Sequence, residues 1–178
     1  MSFNNPDIHL IPASLTDYPI IQNMGRFYVY DMSKYMGSEA GWEIPEDGLY
    51  ECRDFKKYWL DPQAFPYLIR YGKELAGFAI VDKKGSDNQV DFNMAQFFIL
   101  RKFKGKSVGK QVAYHCFNQY QGVWEIMVLP GNTGAYQFWK KIITQYTQNN
   151  FTEYTRQVAH LNNSDKKIFR FCSHIIQK

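Results

Sequence analysis

The segment from Ile99 to Ala113, ILRKFKGKSVGKQVA, constrains the fold of this chain more than any other stretch. It leaves an apolar strand, turns through a basic, glycine-containing loop and enters a helix. The start of such a helix offers unpaired backbone N–H groups and the positive end of the helix dipole, a ready site for phosphate. Gly105 and Gly109 let the backbone approach an anion closely. Lys104, Lys106 and Lys110 add charge. The unit also needs a sheet for its strand, which places the chain among the α/β folds.

The charge distribution singles out the same loop. The chain carries 21 Lys+Arg and 17 Asp+Glu, a net charge of +4. Without Arg101, Lys102, Lys104, Lys106 and Lys110 the balance is 16 against 17, or −1. No acid falls between Asp91 and Glu125. The excess is therefore local, which suits a bound polyanion or a solvated loop rather than a generally basic protein. Two familiar phosphate motifs do not fit. Gly105-Lys106-Ser107 matches the tail of a Walker A loop, but Leu100 stands where its first glycine belongs. A GxGxxG fingerprint on the first strand is absent.

The rest of the chain reads as a succession of short elements without repeat, linker or composition break, as expected of a single domain over residues 1–178. Residues 7–13 form a strand, and 16–36 a helix with Thr16 as N-cap and Pro19 in its first turn. A second helix spans 47–60 and ends at Asp61-Pro62. Strands at 66–71 and 75–82 meet at Gly72-Lys73, and a longer one covers 89–100. A helix at 107–120, a strand at 123–129, a helix at 133–147 and a strand pair at 150–159 and 167–176 complete the order βααβββαβαββ. That order predicts a mixed α/β sheet with helices on both faces.

Composition excludes several classes. Aromatic residues make up 17% of the chain, which rules out intrinsic disorder. Cys52, Cys116 and Cys172 are three and far apart, so they give neither a disulfide framework nor a CxxC pair. His9, His115, His160 and His174 lack metal-ligand spacing, so no metal is expected. No apolar run reaches the roughly 18 residues of a membrane helix, and the N-terminus has no signal-peptide pattern. A cytoplasmic protein, monomer or homodimer, with no membrane partner is the expectation.

Lys104-Gly105-Lys106-Ser107-Val108-Gly109 resembles the Q/R-x-x-G-x-G/A pyrophosphate loop of the GNAT N-acetyltransferases. At the family's distance, Asn132, Ala135, Phe138 and Trp139 are similar to the N-x-x-A-x-x-(F/L)-(Y/W) opening of its next helix. AGFAIV, QFFILRKFK and LPGNTGAYQFW resemble a bacterial subgroup of predicted acetyltransferases. The likeness covers essentially the whole chain. It implies a mostly antiparallel, twisted sheet and acetyl-CoA as co-substrate, with Lys104 to Lys110 at its pyrophosphate. It also implies a split sheet in which backbone groups of Phe97, Phe98 and Ile99 pair with the pantetheine arm, an amide near Phe98 binding the thioester oxygen. Asn132, Ala135 and Trp139 then line the arm and its sulfur end. Three positions depart from the pattern. Lys104 keeps a cation without a planar fork, Ser107 replaces a glycine, and Trp139 stands where many members have a Tyr that protonates the departing thiolate.

Three residues are candidates for the chemistry. Asp31 lies on the apolar stripe of the first helix with Ile20, Ile21, Met24, Phe27, Tyr28 and Tyr35. It is either an anchor or base for the amine, or a paired carboxylate. Gln96 can position a water or make a core-edge hydrogen bond. Tyr136, one turn before Trp139, can replace the missing acid or simply pack. Cys116 and His115 read as packing residues, and Trp42, Tyr50 and Trp59 wall an acceptor pocket or fill core. The segment 31–61 has eight acids against four bases, which suits a small or peptidic, cationic amine. The competing readings are a non-catalytic acyl-CoA-binding module and, on the Arg101–Lys110 cations, a nucleic-acid binder. The latter is disfavoured by the acid-rich 31–61 segment and the modest net charge.

Overall fold

The computed structural model describes residues 8–36, 42–161 and 164–173. Seven strands form one sheet in the order β1-β2-β3-β4-β5-β7-β6. They are β1 (Ile8–Pro12), β2 (Ala64–Tyr71), β3 (Glu74–Asp82), β4 (Phe92–Ile99), β5 (Val123–Val128), β6 (Phe151–Val158) and β7 (Ser164–Cys172). All neighbours are antiparallel except β4 and β5. The helices are α1 (Tyr18–Met36), α2 (Lys57–Leu60), α3 (Val108–Gln119) and α4 (Thr133–Thr147). The βααβββαβαββ order and the mixed, mostly antiparallel sheet are those expected from the sequence. Of the expected terminal strands, residue 7 and residues 174–176 lie outside the described residues, as do residues 37–41 of the acid-rich segment.

Strand alternation sorts the apolar side chains into two layers. Ile69, Ala79, Val81 and Ile99 face α3 and α4, where Phe117, Trp124, Trp139 and Ile143 fill the larger core. Their neighbours Leu68, Phe78, Ile80 and Phe98 face α1 and α2 and meet Ile21, Met24, Phe55 and Tyr58. Phe117 sits at the centre of the larger layer, with Trp124 5.0 Å and Phe171 4.9 Å away edge-on. Truncating a buried aromatic of this kind to Ala costs about 3–5 kcal/mol.

Two helix starts differ from the sequence reading. Ser14, not Thr16, opens the first helical segment: Asp17 Oδ2 accepts from the Ser14 N–H at 2.8 Å and from its hydroxyl at 2.7 Å. Thr16 only exchanges a hydroxyl contact with Ser14. The helix expected over 47–60 shrinks to the four residues of α2. Its aspartates explain why. Asp47 Oδ1 accepts from Leu49 N–H at 2.9 Å, and Asp54 Oδ1 from Lys56 N–H at 2.8 Å. Such local turns compete with helical hydrogen bonding. Phe27 also leaves the expected stripe, being 58% exposed on the flank of α1.

Candidate active site

The feature that shapes the site is where β4 and β5 part. They pair only at Phe92–Trp124 and Asn93–Glu125. Beyond that point the strands diverge. The register of β4 on β3 shifts by one residue between Ile80–Gln96 and Val81–Met94, which leaves Ala95 as a bulge. A bulge bends and twists its strand, and this one stands at the start of the split. In the gap is a cleft of about 140 Å³, walled by Gln96 and Phe97 of β4, Met127 of β5, Tyr28 of α1, and Asn132 and Trp139 at α4.

Backbone groups face into that gap. The Leu100 N–H donates to Ala76 O at 2.9 Å, which fixes the hydrogen-bonding phase of β4 against β3. In an antiparallel ladder alternate residues turn to the partner strand. Phe98 therefore bonds to β3, while Phe97 and Ile99 turn their N–H and C=O groups toward the split. This corrects one expectation: the Phe98 amide is not free for a ligand, and its side chain lies on the α1 face. The free groups are those of Phe97 and Ile99.

β4 runs from the cleft through Leu100 into the basic loop. Gly105 adopts φ +82°, with open space around its missing Cβ, and Ser107 adopts φ +60° at the cap position of α3. This left-handed backbone is what Gly105 supplies without strain. The Ser107 side chain makes no capping bond. The first amides of α3, on Val108, Gly109 and Lys110, have no carbonyl one turn back and point out of the helix end. Val108 anchors the turn, its side chain fully buried in the larger core. Gly109 also has a packing task. A Cβ there would sit 3.0 Å from Phe138 Cζ, so this glycine makes room for the Phe138 ring, which stacks on Phe97 at 5.9 Å.

The loop cations divide into two groups. Arg101 pairs with Asp31 at 2.5 Å, Lys104 reaches the same carboxylate at 3.4 Å, and Lys102 pairs with Glu74. Lys106 lies over the Tyr71 ring at 5.2 Å, and Lys110 reaches Gln145 Oε1 at 3.0 Å; neither forms an ion pair among the described residues. Three of the five loop cations are thus ion-paired within the fold, which weakens the case for a nucleic-acid surface.

The chemical candidates fare differently. Gln96 stands in the cleft wall and donates through Nε2 to Tyr58 Oη at 3.0 Å. Asp31 does not border this cleft; it is the ion-paired carboxylate of the two sequence alternatives. Tyr136 is a correction. Its hydroxyl donates to Glu153 at 2.7 Å and accepts from Lys140 at 2.9 Å, on the β6–β7 side of α4. The ring covers Phe169 rather than the cleft. Trp139 does face the cleft, edge-on to Phe97 at 4.9 Å. Asn132 caps α4 by accepting from the Ala135 N–H at 3.0 Å, and its Nδ2 lies 3.7 Å from Met32 Sδ. Trp59 is structural, its indole N–H donating to Ala13 O at 2.9 Å. Cys116 is buried, and burial pushes its thiol up to about 12. Tyr28, a member of the apolar stripe of α1, also borders the cleft.

A parallel pair that splits, a basic loop at the following helix and a capped helix across the gap define the architecture of the site. The sequence profile of the acetyltransferase (GNAT) family matches residues 29–143. The chain therefore belongs to that family, and with it to the acyltransferases. No curated protein sequence matches the chain significantly. Among solved structures it is similar to an acetyltransferase from Thermus thermophilus, with 17% identity and a TM-score of 0.61 over 93% of this chain and 96% of that one. It is similar to the spermidine N-acetyltransferase from Vibrio cholerae in complex with CoA and spermine, with 15% identity and a TM-score of 0.60 over 95% and 97%. A GNAT-family acetyltransferase from Staphylococcus aureus gives 12% identity and a TM-score of 0.60 over 94% and 99%. Among the described residues no helix is long and apolar enough to cross a membrane, and no acidic, Cys or His cluster has the makings of a metal site.

Proposed function

We propose that this protein transfers the acetyl group of acetyl-CoA directly to an amine. The observation that carries the proposal is the gap between β4 and β5, lined by unpaired backbone groups of Phe97 and Ile99 and leading into the start of α3. In this reading the pyrophosphate rests on the amides of Ser107 to Lys110, assisted by Lys106 and Lys110. The pantetheine arm runs along β4 as an added strand would, pairing with Phe97 and Ile99. Asn132, Ala135 and Trp139 form the opposite wall.

The thioester then lies in the cleft beside Gln96. The amine attacks the carbonyl carbon, and an inward N–H of β4 stabilises the oxyanion. Gln96 cannot act as a base, but its amide can hold the water that carries off the amine's proton. The acceptor enters from the α1–α2 face, where the acid-rich 42–61 segment and the rings of Tyr30 and Tyr50, 6.0 Å apart, offer a surface for a small or peptidic cation. The Vibrio cholerae relative bound to spermine supports a cationic amine.

The test is thiol release from acetyl-CoA across a panel of polyamines, amino-acid amides, neutral amines and anionic amines. Release with polyamines or cationic peptides is expected. CoA binding without thiol release from any amine leaves a non-catalytic acyl-CoA-binding module instead. Preference for anionic amines overturns the cationic acceptor.

A further inference from the structure

We infer that Tyr28 is the group that passes a proton to the departing CoA sulfur, an inference that rests on the acetyl-transfer reading above. Among the described residues that border the cleft, Tyr28 is the only one with a titratable side chain and the only one with a hydroxyl. Every other wall residue is apolar, an amide or an indole. Trp139 lacks an acidic proton, and Tyr136 is turned to Glu153 on the far side of α4. If a protein group protonates a thiolate formed in this space, it is Tyr28.

The placement of Tyr28 suits that task. Its ring is held edge-on against Phe78 at 6.2 Å and tilted against Phe98 at 5.7 Å, which fixes it at the wall of the cleft. No hydrogen bond joins the Tyr28 hydroxyl to a described residue, whereas Tyr58 accepts from Gln96, Tyr67 shares a bond with Tyr120 and Tyr136 donates to Glu153. Gln96, with Tyr58 behind it, lies on the same face of β4 as Phe98 and so borders the same space. Burial, with smaller contributions from Tyr58 and Cys52, pushes the Tyr28 phenol up to about 12. At neutral pH it is therefore protonated and a hydrogen-bond donor.

The amine nitrogen bonds to the carbonyl carbon and becomes a positively charged, acidic N–H centre. The C–S bond breaks and the electron pair goes to sulfur. Tyr28 gives its phenolic proton to sulfur and regains one from that nitrogen, directly or through the water at Gln96. The net transfer is one proton from nitrogen to sulfur, with acetylated amine and CoA thiol as the only products. No further reactant is needed. The phenol works as a relay, since it ends the turnover with the proton it began with.

Tyr28→Phe keeps the ring packing and deletes only the hydroxyl. With acetyl-CoA and the best amine of the panel, kcat should fall about a hundredfold, within the usual range for a positioned proton donor, with CoA affinity unchanged. A second measurement needs no acceptor. Bound CoA is titrated by its ultraviolet thiolate absorbance in the wild type and in Tyr28→Phe. A donor at the sulfur favours the thiolate, so the bound thiol should titrate about one pH unit higher in the variant. Unchanged kcat in a wild type that acetylates amines, or identical thiol titrations in the two proteins, overturns the Tyr28 assignment and leaves the acetyl-transfer reading standing. Failure of CoA to bind the wild type at all overturns both.

Discussion

The two ends of the β4–β5 pair are built on opposite plans. At the closed end, where Asn93 meets Glu125, charged side chains tie the strands together. Glu125 is fully buried and accepts from the Ser86 N–H at 2.7 Å, from the Tyr154 hydroxyl at 2.7 Å and from Arg170 at 2.6 Å. Arg170 also holds Asp87 at 2.7 Å, and Arg156 joins the same carboxylate at 3.1 Å. Four segments are tied there: the β3–β4 connection, β5, β6 and β7. A few residues along, the same strands leave the Phe97 and Ile99 backbone groups without strand partners. The lesson is that unsatisfied backbone can persist in a sheet when the strands are fixed firmly just below the opening.

Removing the closed-end clamp should have the largest effect. Glu125→Ala removes the buried carboxylate shared by Ser86, Tyr154 and Arg170 and should cost about 3–5 kcal/mol in urea unfolding. A loss under about 1 kcal/mol would mean the network is not what fixes the split. The same network predicts acid sensitivity. The Arg170 guanidinium, then the Gln89 N–H, hold the Asp87 carboxyl down at about 2, against an ordinary 3.8. Burial by itself raises the Glu125 carboxyl, but the bonds from Tyr154, Ser86 and Arg170 outweigh it and leave it lowered. Depressed carboxyls stabilise the fold above their unfolded pKa and lose that contribution as pH falls through the folded value. Stability should therefore drop between about pH 4 and pH 2, and the Asp87→Asn protein should show a flatter drop.

Effects at the open end should be smaller and should fall on ligand rather than on folding. Replacing both Lys106 and Lys110 by Ala should weaken CoA about 10- to 100-fold at low salt, with the gap narrowing as salt rises. Unfolding should hardly change. Smallest of all is Asp31→Asn. It breaks exposed pairs with Arg101 and Lys104 worth under about 1 kcal/mol. It also frees two cations beside the phosphate loop, so CoA affinity should rise slightly. A marked fall would show that Asp31 shapes the loop instead of competing for its charges.

Much of the open end was legible in the sequence, and little of the closed end was. The basic loop showed itself because charge and glycine cluster within a few residues, and the Asn132 helix because its motif residues lie within eight positions. The Glu125 network draws Ser86, Tyr154 and Arg170 from far along the chain, and no local pattern marks them. Asp31 shows the same limit: its stripe position was readable, but its partners lie some seventy residues on. Tyr136 sits three residues before Trp139, and that spacing left its direction open; Glu153 and Lys140 decide it. The bulge at Ala95 leaves no residue signature, since no glycine marks it. Tyr28 went unnoticed because a tyrosine among apolar neighbours reads as packing until the cleft is seen.

Amide hydrogen exchange with and without CoA tests the account most directly. Without ligand, the Phe97 and Ile99 amides should exchange quickly for strand residues, while Phe98 should be slow, because its N–H bonds to β3. With CoA, Phe97 and Ile99 should become protected together with Ser107 to Lys110, and Asn93 and Glu125 should not change. CoA that binds without slowing Phe97 or Ile99 would show that the ligand does not occupy the gap between β4 and β5.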